Sequence, residues 1–250
     1  MLKSGLDMSG HSKWATIHRQ KEANDARKGA AFTKLAMNIM VAVREGGGIG
    51  DPNQNFRLRL AVDRARQLNM PKDNIARAIE KASGASAEAL QEALFEGFLP
   101  GGAGVLVSTL SDNKLRTQQQ VREVIDKNGG SMASSGAVSH MFSQVGELTV
   151  KYKAISEKPL DEQELEMIDT GVDEVERDEG GFIAYCDKTK TYEMKEKLEK
   201  LGYTIESAEV MMKPTVQVAI DDLEVAHKVE MILTKLSDLD DVQKVWTNYN

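Results

Sequence analysis

The chain contains a single cysteine, Cys186, so no internal disulfide can form. That fits a reducing compartment, and a cytoplasmic location is expected. No apolar run approaches the roughly 18 residues of a membrane span, so no membrane partner is expected. Residues 1–7 lack the apolar stretch of a secretory signal. Met8 is the expected natural start, with residues 1–7 an upstream extension. The four histidines, His11, His18, His140 and His227, are scattered, and none pairs at the zinc-motif spacing of about three to five residues. Cys186 has no histidine near it in sequence, and Gly-x-Ser-x-Gly does not occur, so nucleophilic catalysis has no signal. The glycines of 100–104 precede a strand and those of 46–50 lie between helices, so neither run has the context of a phosphate loop. No catalytic residue, cofactor, metal ligand or small-molecule substrate is expected. A metal-dependent enzyme remains a remote alternative, which a melting-temperature shift with a divalent ion would reveal.

What is present is a charge asymmetry. The net charge is -7, yet residues 8–83 carry 14 Lys and Arg against 7 Asp and Glu. Residues 84–250 carry 17 against 31. A basic part on an acidic body indicates a partner more strongly than the overall charge does. Residues 161–179 alone hold ten carboxylates, without the spaced ligands and glycine of a calcium loop. A solvated face is the default for them, and they would repel a phosphate backbone.

Periodicity divides the chain. Phe32, Leu35, Ala36, Ile39, Met40 and Val43 recur at helical spacing over 29–44. The glycines after Glu45, with Pro52, break that helix. Leu58, Ala61, Val62, Ala65 and Leu68 mark a second helix, and Pro71 opens a third with Ile75, Ile79 and Ala82. Beyond a linker at 84–86 come a strand at 104–110, a helix at 116–128 closed by Gly129 and Gly130, and a returning strand at 137–142. Residues 147–212 then read strand, helix, strand, strand, helix, strand, the ferredoxin-like order. A strand at 215–220, a helix at 223–236 and a strand at 242–246 follow. The expected class is α+β: an N-terminal helical bundle plus two ferredoxin-like α/β domains, one inserted in the other. The expected divisions are 8–83, then 84–143 together with 213–250, and 144–212 as the insertion.

The candidate nucleic-acid-binding residues are Lys13, Trp14, His18, Arg19, Lys21, Arg27, Lys28, Lys34, Arg57, Arg59, Lys72 and Arg116. Flexible cations suit phosphates, which give affinity without sequence choice. Trp14 offers a ring for base stacking or for core packing. Arg64, Arg66, Arg77 and Lys81 add to the exterior of the bundle. Lys72, Arg116 and the loop 134–136 make a secondary contact surface. There is no helix-turn-helix or RNP aromatic motif.

Gly-His-Ser-Lys-Trp14, Phe32-Thr-Lys-Leu35, Asn69-Met-Pro-Lys-Asp-Asn-Ile75, Glu96-Gly-Phe, Pro100-Gly-Gly, Asn128-Gly-Gly130, Ser135-Gly136 and Asp240-Asp-Val-Gln243 together resemble the YebC family. That family is usually described as probable transcriptional regulators and includes the mitochondrial translational activator of cytochrome oxidase subunit one. The resemblance covers nearly all of 8–250 and implies one helical and two α/β domains. It also implies a non-enzymatic role, either DNA-binding control of transcription or ribosome-associated help to translation. The chain departs from the family at Ile17-His-Arg-Gln-Lys21, at Glu22 and Ala30, and at Phe56, which replaces a frequent proline, so its basic patch is thinner. The leading expectation is a DNA-binding transcriptional regulator. The alternative is a ribosome-associated translation factor that binds ribosomal RNA or tRNA.

Overall fold

The computed structural model describes residues 28–83, 91–111, 113–151, 158–178 and 180–250, with side chains from Phe32 onward. Three helices come first: α1 (Lys28–Glu45), α2 (Phe56–Gln67) and α3 (Lys72–Ser83). Their apolar stripes meet in a core of Leu35, Ile39, Val43, Leu58, Val62, Ala65, Ile75 and Ala78. The turn from α1 to α2 is organised by Asn55, which is 4% exposed. Its Oδ1 accepts from the Leu58 N–H at 3.1 Å, capping α2. Its Nδ2 donates to the carbonyls of Ala42 at 2.9 Å and Ile49 at 3.0 Å. One buried amide thus joins the end of α1, the glycine loop and the start of α2. Gly46 lies against it, where a Cβ would collide with the Asn55 side chain. Asn69, at φ 59°, ends α2 in the left-handed conformation that asparagine tolerates.

A first antiparallel sheet follows, formed by β1 (Gln91–Phe98), β2 (Gly104–Ser111), β3 (Ser131–Ala133) and β8 (Val242–Thr247) in the order β3-β1-β2-β8. The helices α4 (Lys114–Asp126) and α7 (Leu223–Ser237) cover one face. They bury Val121, Ile125, Val229, Ile232 and Leu236 against Phe95, Val105 and Val107. Leu110 of β2 joins the core of the helical bundle instead. Asn248 clasps Gly104, accepting from its N–H at 2.7 Å.

Between β3 and α7 the chain builds a second sheet from β4 (Phe142–Lys151), β5 (Glu174–Asp178), β6 (Gly181–Asp187) and β7 (Thr204–Pro214), in the order β5-β6-β4-β7. With α5 (Leu160–Asp169) and α6 (Thr191–Lys200), this is the ferredoxin-like βαββαβ arrangement. Its core holds Leu148, Val150, Met167, Phe182, Ala184, Met194 and Leu198. Gly146 lets α6 approach, because a Cβ there would collide with Thr191 and Cys186. The described residues fall into two compact units, 141–216 and 28–140 with 217–250. The whole is α+β, with seven α-helices among the described residues and two separate four-stranded sheets.

Three local expectations need correction. Residues 137–142 are not a strand: a turn leads into a 3-10 helix at Ser139–Met141, and β4 begins at Phe142. Two amides of this stretch, those of Val138 and Ser139, are instead taken by the Glu96 carboxylate. Residues 215–220 make only one isolated parallel bridge, Val218 to Tyr249, because β3 and β8 already occupy both flanks of the β1-β2 pair. The central strand β1 is absent from the expected elements, since Gln91, Glu92 and Glu96 mask its apolar alternation.

Candidate nucleic-acid interface

The helical bundle carries the candidate surface. Lys13, Trp14, His18, Arg19, Lys21 and Arg27 lie outside the described residues, and Lys28 is described only as the first residue of α1. Lys34 is half-buried on α1. Arg57 pairs with Glu45, both partly exposed. Arg59 holds the preceding turn, with Nε donating to the Pro52 carbonyl at 3.0 Å and Nη2 to that of Asn53 at 3.2 Å. Arg66 pairs with Asp63 at 3.3 Å, and Arg77 donates to Asn74 Oδ1 at 2.7 Å.

Arg64 on α2, with Lys72 and Lys81 on α3, is exposed and makes no ion pair or side-chain hydrogen bond among the described residues. Among the described side chains of the bundle, these three are the cations left available. Lys72 is already a candidate on sequence grounds. Arg64 and Lys81 read there only as exterior charge, because sequence cannot distinguish a paired surface cation from an unpaired one.

Arg116 stands at the start of α4, outside the bundle. Its Nη2 donates to Asp241 Oδ2 at 3.0 Å, and that oxygen also accepts from Ser111 Oγ at 2.9 Å and Thr117 Oγ1 at 2.6 Å. Burial pushes the Asp241 carboxyl up. The bonds from Thr117, Arg116 and Ser111 outweigh that and hold it below the ordinary carboxylate value. The side of Arg116 that faces Asp241 therefore fastens the end of β2 and the start of α4 to the turn before β8.

The loop 134–136 is held by a residue that sequence reasoning does not single out as a site. Glu96, 3% exposed, accepts from the backbone N–H of Gly136 at 2.7 Å, Val138 at 2.7 Å and Ser139 at 2.9 Å. Burial raises its pKa, but the three backbone donors together bring it below the usual value. Ser134, Ser135 and Gly136 remain exposed. The available signal is a lone carboxylate within the apolar run Ala93–Phe98.

The acidic stretch lies on α5 and β5. Arg177 bridges Asp161 and Glu164, Lys158 pairs with Glu166 at 2.8 Å, and Lys213 pairs with Glu174 at 2.7 Å and Glu176 at 3.4 Å. Glu179 lies outside the described residues. Among the described residues no group of His, Cys, Asp or Glu could hold a metal ion, and no helix is long and apolar enough to cross a membrane.

A three-helix bundle followed by two sheet-and-helix layers defines a class of α+β protein with known members. Residues 12–85 match the family described as TACO1/YebC protein N-terminal domain, and residues 90–249 match TACO1/YebC second and third domain. A probable transcriptional regulatory protein of Chloroflexus aurantiacus is 45% identical over 242 residues, 96% of this chain and 95% of the relative. One from Aquifex aeolicus is 43% identical over 97% of this chain and 96% of its own length. The crystal structure of a conserved hypothetical protein from Aquifex aeolicus matches with a TM-score of 0.81 and 41% identity, covering 90% of this chain and 91% of that one. The chain belongs to the TACO1/YebC family.

Proposed function

We propose that this protein is a non-catalytic, cytoplasmic, nucleic-acid-binding regulator of transcription that grips phosphates through its helical domain. The observation that carries the reading is the set of unpartnered cations Arg64, Lys72 and Lys81 on a domain of net positive charge. The names of the relatives support the regulatory part. Lys13, His18, Arg19, Lys21, Arg27, Lys28 and Lys34 would supply further cations for phosphate from the same stretch of sequence. Arg57, Arg59 and Arg116 contribute through the faces their internal partners leave open, and Trp14 adds a ring for stacking. In this reading residues 8–83 act as the binding domain, and the α/β parts, 84–143 with 213–250 and the inserted 144–212, act as its acidic body.

A second reading, a ribosome-associated translation factor that binds ribosomal RNA or tRNA, is favoured by one observation. Three of the four arginines on α2 have partners inside the bundle. No row of free cations remains on that helix for groove reading, and shape and backbone contact suit folded RNA. Crosslinking the protein in growing cells and sequencing the recovered nucleic acid separates the two. Enrichment of a few promoter segments is the result for a transcriptional regulator. Enrichment of ribosomal RNA would transfer the regulatory role to translation, and recovery of neither would refute both.

A further inference from the structure

The inserted domain has a surface that nucleic-acid binding leaves unused. On α5, Gln163 and Met167 are buried against the sheet. On another face Leu165 is 59% exposed and Ile168 is 42% exposed. Three residues apart on a helix, they lie side by side. Asp161, Glu162 and Asp169 are exposed around them. Asp161 shares Arg177 with Glu164, whereas Glu162 and Asp169 make no ion pair among the described residues. Residues 160–178 hold nine carboxylates and one cation, Arg177.

The chemistry of this face selects its occupant. Nucleic acid and anionic lipid are repelled by the carboxylates. A purely cationic ligand leaves the Leu165–Ile168 pair in water. A protein segment with aliphatic side chains on one stripe and Lys or Arg beside it satisfies both features, as in helix-on-helix recognition. We propose that the outward face of α5 docks a basic amphipathic helix of a partner protein. Complementary charge steers the encounter, and the aliphatic pair supplies the contact that discriminates among basic partners. The idea goes beyond the nucleic-acid reading and fails separately from it.

The test uses the full chain and two synthetic helical peptides of equal charge, one with lysine and leucine at helical spacing and one with lysine and alanine. Fluorescence anisotropy reports affinity. The leucine peptide should bind about tenfold more tightly, the value of roughly 1.4 kcal/mol from covering two aliphatic side chains. The double substitution Leu165→Ser with Ile168→Ser should abolish that preference. Glu162→Lys with Asp169→Lys should weaken both peptides, and Leu115→Ser, an exposed leucine on α4, should change nothing. All these positions are on the surface, so the variants should keep the wild-type melting temperature, and their nucleic-acid binding should not fall. Equal affinity for the two peptides, or a leucine preference that survives in the serine variant, would overturn the proposal.

Discussion

The two sheets of this molecule use carboxylates in opposite ways. In the first, Glu96 and Asp241 are drawn into the protein and held mainly by neutral donors, namely three backbone amides for Glu96 and two hydroxyls plus Arg116 for Asp241. Each fastens a loop to a strand. In the second, Asp187 accepts from Thr189, but most paired carboxylates meet lysines and arginines, and most of those pairs stand in solvent. A buried acceptor that satisfies several amides is costly to remove, because the amides are then left without partners. An exposed ion pair gives little stability and is screened by salt. The first sheet is therefore braced by its charges, and the second mainly decorated by them.

The sharpest way to break this contrast is Glu96→Ala. It should cost about 3 kcal/mol, since three buried or half-buried amides lose their acceptor. Urea denaturation measures it, and a loss below about 1 kcal/mol would mean the loop finds other partners. A smaller effect is expected from Lys213→Ala in the second sheet. Lys213 lies 3.6 Å from the Tyr185 ring centre and beside the buried Glu176, so its removal should cost about 2 kcal/mol. That residue is the exception within its sheet. Smallest is Arg177→Ala, whose partner Asp161 is highly exposed, with an expected loss under about 1 kcal/mol by the same measurement.

Acid tests the braces of the first sheet as well. Glu96 and Asp241 have folded-state pKa values below the ordinary carboxylate value, so the unfolded chain takes up their protons first. Their contribution is present above about pH 4 and is lost as pH falls through the folded values. In acid titrations, Glu96→Gln should show a shallower loss of stability below about pH 4 than the wild type. Identical slopes would contradict the assignment.

Legibility in the sequence follows contiguity. The inserted βαββαβ unit can be read because all its strands and helices lie within about 70 consecutive residues with ordinary alternation. The three helices of the bundle are readable for the same reason, from Leu35 and Ile39 through Ile75 and Ala82. The first sheet is harder. Its β2 pairs with β8 far along the chain, and the Ser111–Asp241 bond spans 130 positions. Arg116 looks like a candidate for phosphate in the sequence because its partner lies 125 residues away. Glu96 lowers the apolar alternation of β1 while fixing the loop that faces it, so one residue conceals the strand and the turn together. Asn55 is equally quiet in sequence, since nothing nearby reveals that its amide will be buried.

In the proposed function the helical domain grips phosphates through cations the fold leaves unpaired. The most direct measurement is the salt dependence of binding to a DNA duplex for the wild type and for a variant with Arg64→Ala, Lys72→Ala and Lys81→Ala. The variant should bind more weakly, with a salt slope reduced by about one for each cation that had neutralised a phosphate, at an unchanged melting temperature. An unchanged affinity and slope would contradict it and remove the bundle's free cations from the interface.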